Sequence, residues 1–200
     1  MSRIILASAS AARSALLQQA GIIAETNPPA LDEDALKAAY LLDEPTITPA
    51  GMATKLAGAK TVSVSNQNLD CLVIGGDQVL ALGAKRYDKP KSMEEARTQL
   101  RELRGKTHHL ETAIACARNG QVIWSTLTRP ALHMRHVSDA FIEDYLARQG
   151  KSVMQAVGGY KLEGEGIQLF SAIEGDYFSI LGLPLLPLLE FLRSQNEIRS

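Results

Sequence analysis

The chain has 200 residues, of which 46% are hydrophobic, 22% charged and 5% aromatic, with 15 Gly and 8 Pro. Those proportions exclude a disordered, fibrous or disulfide-stapled protein, and a chain this long buries roughly 70% of its unfolded surface without metal or disulfide support. The formal net charge of −1 gives no electrostatic reason to bind DNA, RNA or an anionic membrane, although it conceals an acidic stretch over 32–44 and a basic one over 85–106.

In chain order, Ile4-Ile5-Leu6-Ala7 predicts a short buried strand. This apolar run is too short for the h-region of about 7–15 residues that a signal peptide needs, so Ala7-Ser8-Ala9 is not read as a cleavage site. A small-residue loop over 8–12 leads into a helix carrying Leu16, Leu17 and Ala20, with Gly21 as its C-terminal cap. Residues 22–26 predict a second strand, ended by Pro28-Pro29, and the acidic stretch after it reads as a loop. Thr48-Pro49 has the form of an N-cap and first-turn proline, opening a helix with Met52, Leu56 and Ala59 on one face and Lys55 beside them.

Residues 71–74 predict a fully apolar strand that enters Gly75-Gly76-Asp77, with 79–82 continuing beyond. Ser92-Met93-Glu94-Glu95 is a capping box for a helix with Ala96, Leu100 and Leu103 inside. Residues 109–116 and 121–126 flank Asn119-Gly120 as a β-hairpin. Ser138 caps a helix through Leu146, ended by Gly150. The glycine-rich stretch 158–166 is irregular, 167–173 predicts a strand, and 185–192 a closing helix. The apolar run 180–189 holds Pro184 and Pro187 and falls short of the roughly 20 residues that span a bilayer. Cys71 and Cys116 lie in apolar runs without metal spacing and are expected to be buried free thiols of a cytoplasmic protein. Interleaved helices and strands with hairpins predict an α/β protein: a mixed β-sheet flanked by helices, in one domain over 1–200.

Four segments have the residue types for chemistry. Ser8 to Arg13 places small side chains and a cation at a helix start, where N–H groups attract an anion; Ser10 as a plain N-cap beside a solvated Arg13 explains the same residues. Asp77 ends an apolar strand after two glycines, as a metal-binding or proton-accepting carboxylate does, and equally as a turn residue does. Pro90 keeps Lys89 out of helical conformation, so its ammonium can be aimed at phosphate or sit on a solvated hairpin tip. The glycines around Lys161-Leu162-Glu163 suit backbone approach to a ligand, or a tight turn. His108 and His109 lack metal spacing and are expected on opposite strand faces, with Trp124 and Phe170 in the core.

Taken together, these segments resemble the Maf family of nucleoside triphosphate pyrophosphatases over residues 4–192. Ile5-Leu6-Ala7-Ser8-Ala9-Ser10-Ala11-Ala12-Arg13 is similar to the family's I-L-A-S-x-S-P-x-R, and Glu33, Lys55 and Asp77 follow in the family's order. Lys89-Pro90 matches its G-K-P, followed by Gly105 and His108; Gly175-Asp176-Tyr177 and Gly182-Leu183-Pro184-Leu185 match its closing motif. The resemblance implies two lobes around a nucleotide-binding cleft, often a homodimer, and hydrolysis between the α- and β-phosphates in the presence of Mg²⁺ or Mn²⁺. It implies that Asp77 activates water, that Glu33 and Asp77 hold the metal, and that Ser8, Ser10, Arg13, Lys55 and Lys89 hold phosphates. Asp77-Gln78 with Lys161-Leu162-Glu163-Gly164 is similar to the subgroup acting on 7-methyl-GTP, where members acting on dTTP and UTP show D-T and I-Q-G. A carboxylate at Glu163 accepts hydrogen bonds from a guanine edge and suits a cationic base. The chain departs from the subgroup at Ala12, where an aromatic is common, and at Asp88, which replaces a glycine; Tyr160 is a candidate for the missing ring. A dTTP/UTP pyrophosphatase, an inosine/xanthosine triphosphate pyrophosphatase, or a nucleotide-binding regulator of septum formation without strong hydrolysis are the alternatives.

Overall fold

A computed structural model describes residues 2–199. Eight strands form a mixed sheet: β1 (Ile4–Ala7), β2 (Ala24–Thr26), β3 (Leu72–Leu82), β4 (Lys85–Tyr87), β5 (Thr107–Arg118), β6 (Gln121–Thr128), β7 (Ala131–Met134) and β8 (Phe170–Glu174). Seven α-helices accompany them among the described residues: α1 (Ala11–Gln19), α2 (Glu33–Asp43), α3 (Pro49–Ser65), α4 (Met93–Leu103), α5 (Asp139–Gln149), α6 (Tyr177–Ile180) and α7 (Leu185–Ser194). The strand order is β2-β1-β3-β5-β7-β8, with β4 beside β3 and β6 beside β5. The chain divides into two compact units. One holds the described residues up to Gln78, Thr112–Thr128 and those from Asp176 on; the other holds Val79–Glu111 and Arg129–Gly175.

In the first unit β1 lies parallel to both β2 and β3, and its last residue, Ala7, is registered with Gly75. Strand alternation sorts the apolar residues to two faces. Ile4, Leu6, Leu72 and Ile74 pack with Leu16 and Leu17 of α1 and Leu188 and Leu192 of α7, while Ile5, Ala7 and Val73 pack with Val64 of α3. Each fully buried leucine or isoleucine contributes roughly 1.5–3 kcal/mol. Layers this close explain the glycine pair of β3. A Cβ on Gly75 would lie 2.2 Å from Thr61 Oγ1 of α3, and one on Gly76 would lie 2.3 Å from Ile114 Cδ1 of β5.

In the second unit Ser92 caps α4 by accepting from the Glu95 amide. Arg97 of α4 forks onto Glu143 of α5 at 2.6 and 2.8 Å. The His108 ring is buried, with Nε2 2.7 Å from the Tyr160 hydroxyl. His109, next along β5, is half-buried as alternation requires.

Residues 32–44, expected as a loop, contain helix α2. The reason is local: Asp32 accepts from the Ala35 amide as N-cap, Glu33 and Asp34 occupy the positive first turn, and Ala, Leu and Lys residues follow. The strand expected over 167–173 starts only at Phe170, because residues 165–169 wind into a 3₁₀ turn. Strand β7 and the one-turn helix α6 are additions that four-residue stretches do not announce. Trp124 and Phe170 are half-buried rather than core; Trp124 stacks on Phe191 of α7 with centroids 4.8 Å apart. Cys71 and Cys116 are free and buried, and burial pushes the Cys116 thiol up.

Candidate functional site

The first unit gathers most of the charged candidates at the carboxyl end of β1, the side of a parallel sheet where ligands bind in open α/β folds. Strand β1 stops at Ala7, whereas β3 runs on through Gly76, Asp77 and Gln78. From Ala7 the chain turns through Ser8 into α1, whose N-cap is Ser10: its hydroxyl accepts from the Arg13 amide at 3.3 Å, and Ser8 Oγ accepts from the Ser10 amide at 3.2 Å. The first turn carries no acid to neutralise its free N–H groups.

Arg13 is buried, and its guanidinium is held as a fork. Nε donates to the Gly182 carbonyl at 2.7 Å; Nη1 donates to the Gly76 carbonyl at 2.8 Å and to Ser8 Oγ at 3.2 Å. Burial lowers its pKa, opposed by the negative charges of Asp77 and Glu33. An arginine stays protonated under that pressure. A desolvated cation results, aimed by main-chain carbonyls.

On the opposite face of β3, Asp77 meets α3. Lys60 Nζ donates to Asp77 Oδ1 at 2.7 Å and lies 2.8 Å from Glu33 Oε2. The Lys60 and Asp77 side chains are each only 11% exposed, whereas Glu33, in the first turn of α2, is 46% exposed. One ammonium thus faces two carboxylates, and its contact with Asp77 offsets the cost of burying that charge. Two carboxylates together with substrate phosphate oxygens form the all-oxygen donor set that Mg²⁺ or Mn²⁺ takes, so Asp77 and Glu33 fit a divalent cation bound with substrate. Among the described residues no cluster of three or more His, Cys, Asp or Glu is arranged to hold a metal by itself.

Lys55 goes elsewhere. Its ammonium lies 3.1 Å from Glu44 and 3.8 Å from Asp43, over the Tyr40 ring, and Glu44 raises its pKa. The lysine that reaches Asp77 is Lys60, which sequence reasoning passed over. The signal was present: Met52, Ala53, Leu56, Ala57, Thr61 and Val64 form the buried stripe of α3, and Lys60 sits within it. A lysine in an apolar stripe needs a buried partner.

Gln78 points to the Arg13 side of β3. Its amide nitrogen lies 2.8 Å from Thr112 Oγ1 and 3.1 Å from both the Ser179 and Ile180 carbonyls. Ala12 is half-buried on the first turn of α1.

The remaining candidates belong to the second unit. Lys89 is exposed on the segment after β4, whose path is fixed by Pro90, buried, and by Gln99 Nε2 donating to the Asp88 carbonyl at 3.0 Å. Asp88 is not among the described residues with positive φ, so the chain passes here without needing the glycine. Lys161 donates to Gln155 Oε1 at 2.8 Å, and Glu163 is exposed. Tyr160 is buried against His108 and Phe170, so its ring is spent inside this unit rather than offered to a base.

Comparison with known proteins extends these observations. A family model described as Maf-like protein matches residues 3–195. A protein named nucleoside triphosphate pyrophosphatase from Granulibacter bethesdensis is 47% identical over 196 residues, 98% of each chain. Proteins named 7-methyl-GTP pyrophosphatase are similar too. The one from Rhizobium meliloti is 47% identical over 195 residues, 98% of this chain and 97% of the relative; that from Brucella abortus is 46% identical over 196 residues, 98% of each.

Proposed function

Because this chain belongs to the Maf family, we propose that it hydrolyses 7-methyl-GTP to 7-methyl-GMP and pyrophosphate. The chain is a nucleoside triphosphate pyrophosphatase, a hydrolase of phosphoric anhydrides. The observation that carries the chemistry is the Lys60 ammonium bridging Asp77 and Glu33, with the buried Arg13 fork held on the carbonyl of Gly76, the residue before Asp77.

In this reading Arg13, Ser8, Ser10 and the N–H groups opening α1 bind phosphate oxygens. Asp77 takes a proton from water as the water oxygen bonds to the α-phosphorus. The bridging α–β P–O bond breaks, and pyrophosphate leaves with that electron pair. Lys60 holds the Asp77 carboxylate in place through its hydrogen bond to Oδ1. Held by Asp77 and Glu33, a divalent cation such as Mg²⁺ or Mn²⁺ would supply Lewis-acid neutralisation of phosphate charge. In the second unit the exposed Glu163 carboxylate is the kind of acceptor that a guanine edge needs, with Lys161 two residues before it. The relatives named for 7-methyl-GTP and the exposed carboxylate of Glu163 support this substrate over dTTP or UTP.

Among the described residues no helix is long and apolar enough to cross a membrane. The near-zero net charge supports a small triphosphate rather than a nucleic acid polymer as the partner, and the reading places the enzyme in the cytoplasm. A homodimer belongs to the same reading. Val122, Ile123 and Leu127 of β6 are each more than 40% exposed, on a strand that among the described residues pairs only with β5.

The test is pyrophosphate release from 7-methyl-GTP, GTP, dTTP and UTP with Mg²⁺ and with Mn²⁺. The expected result is a preference for 7-methyl-GTP over GTP of at least about tenfold, or 1.4 kcal/mol. A smaller ratio, or faster turnover of dTTP or UTP, overturns the substrate. No release from any triphosphate overturns the enzymatic reading in favour of a nucleotide-binding regulator.

A further inference from the structure

We infer that Gln78 and Thr112 are positioning residues that hold the Arg13 guanidinium in place through the main chain of residues 179–182. The inference rests on Arg13 being the phosphate-binding cation of the proposed function.

Arg13 is aimed by two carbonyls on different segments: Gly76 on β3 and Gly182 in the loop after α6. Their separation sets the direction of the fork. On the loop side α6 is a single turn of four residues, and a helix so short does not persist unaided; Phe178, Leu181 and Leu183 pack it against the core of this unit. Asp176 caps it, Oδ1 accepting from the Phe178 amide at 3.2 Å and Oδ2 from the Ser179 amide at 2.8 Å and hydroxyl at 2.6 Å. Those contacts organise the turn but do not attach it to the sheet.

The polar attachment that leads to Gly182 is the Ser179 carbonyl. It accepts from Thr112 Oγ1 at 3.0 Å and Gln78 Nε2 at 3.1 Å, and the Gly182 amide donates to it at 3.0 Å. The Gln78 amide is within reach of the Ile180 carbonyl and Thr112 Oγ1 as well, so its donors are used within the protein. A path of hydrogen bonds therefore runs from the strand of Asp77, through Gln78, Thr112 and Ser179, to Gly182 and Arg13. Gly182 has φ +93, and a Cβ there would lie 3.2 Å from Arg13 Nε, so the loop passes as close to the guanidinium as a backbone can. Gln78 also neighbours Asp77, so one strand places both the proton acceptor and the tether of the phosphate cation.

Thr112→Val keeps the shape and removes the hydroxyl, and Thr112→Ser keeps the hydroxyl. The expected result is a fall of roughly tenfold in kcat/KM for Thr112→Val, mostly in kcat, with Thr112→Ser near the parent. In an Arg13→Lys background, where no fork remains to be aimed, Thr112→Val should cost little further. The same cycle read as the Kd of inorganic tripolyphosphate requires neither turnover nor a base. A third reading is the Arg13 Nε–H proton resonance, protected from exchange in the parent and Thr112→Ser and exposed in Thr112→Val; it holds even if Arg13→Lys does not fold. Equal losses in both backgrounds, or an Nε–H unchanged by Thr112→Val, overturn the inference and assign Thr112 to fold stability alone. Tripolyphosphate binding that follows the cycle without pyrophosphate release from any nucleotide would instead overturn the proposed function and leave this inference standing.

Discussion

Lys55 and Lys60 are five residues apart on one helix, and their surroundings assign them different work. Lys55, 35% exposed by its side chain, pairs with two surface carboxylates in a medium where such pairs contribute little. Lys60, 11% exposed, is the counter-ion of a buried Asp77. Replacing it leaves that buried carboxylate without its ammonium partner. Lys60→Met is expected to lower stability by about 3 kcal/mol and kcat/KM by roughly 10²-fold, read by calorimetry and pyrophosphate release. Asp77→Asn should abolish turnover with the fold intact, and Lys55→Ala should leave both near the parent. Full activity in Asp77→Asn would remove the proton acceptor from the mechanism. The motif order was legible along the chain, and so was Asp77. The choice between the lysines was not, because it depends on which helix face meets β3.

At the scale of elements, α2 shows how a local signal can be outweighed in reading a sequence and still operate in folding. Its acidic residues resemble a solvated loop, but their positions are those of an N-cap and first turn. None of its residues is buried, so the cap and the helix dipole matter more here than in α3. The turn that carries Glu33 is therefore the one most easily frayed. Asp32→Ala should speed amide exchange across residues 33–36 and raise the Mn²⁺ concentration needed for half-maximal rate, with the thermal midpoint nearly unchanged. A lower midpoint without a metal effect would mean that α2 supports the fold rather than Glu33. The capping boxes, the Asn119-Gly120 hairpin and the Pro49 helix start were readable because each rests on residues within four positions of one another. Strand β7 and helix α6 exist through partners far along the chain, and four residues carry no period of their own.

Across the whole molecule, the uneven charge noted in the sequence is balanced inside each unit. In the first, Glu33 and Glu44 pair with Lys60 and Lys55; in the second, Lys85 pairs with Glu102 at 2.5 Å. Titration of one buried ring then gives global stability a pH dependence. Burial, reinforced by the charges of His109 and His133, lowers the His108 pKa from 6.5 to about 4, and its Nδ1 has no partner among the described residues. Since the unfolded chain takes up this proton first, stability is full above pH 6.5 and falls between 6.5 and 4, by up to roughly 3 kcal/mol from this group. Urea unfolding at pH 7.5, 6 and 5 should show that decline, and His108→Gln, which retains a partner for Tyr160, should flatten it. An unchanged slope would place the proton elsewhere.

The amino-acid sequence alone determined the α/β class, most helix starts and stops, the family and the positions of Asp77, Arg13 and Glu33 along the chain. These follow from short-range chemistry: alternation, capping, turn residues and ordered motifs. Only the tertiary structure decided that Lys60 meets Asp77 while Lys55 pairs with Glu44, that Tyr160 is spent in a core, and that Gln78 and Thr112 hold the carbonyl framework of Arg13. Each of those depends on which side chains share a low-dielectric space after distant segments have packed, and spacing along the chain does not encode that directly.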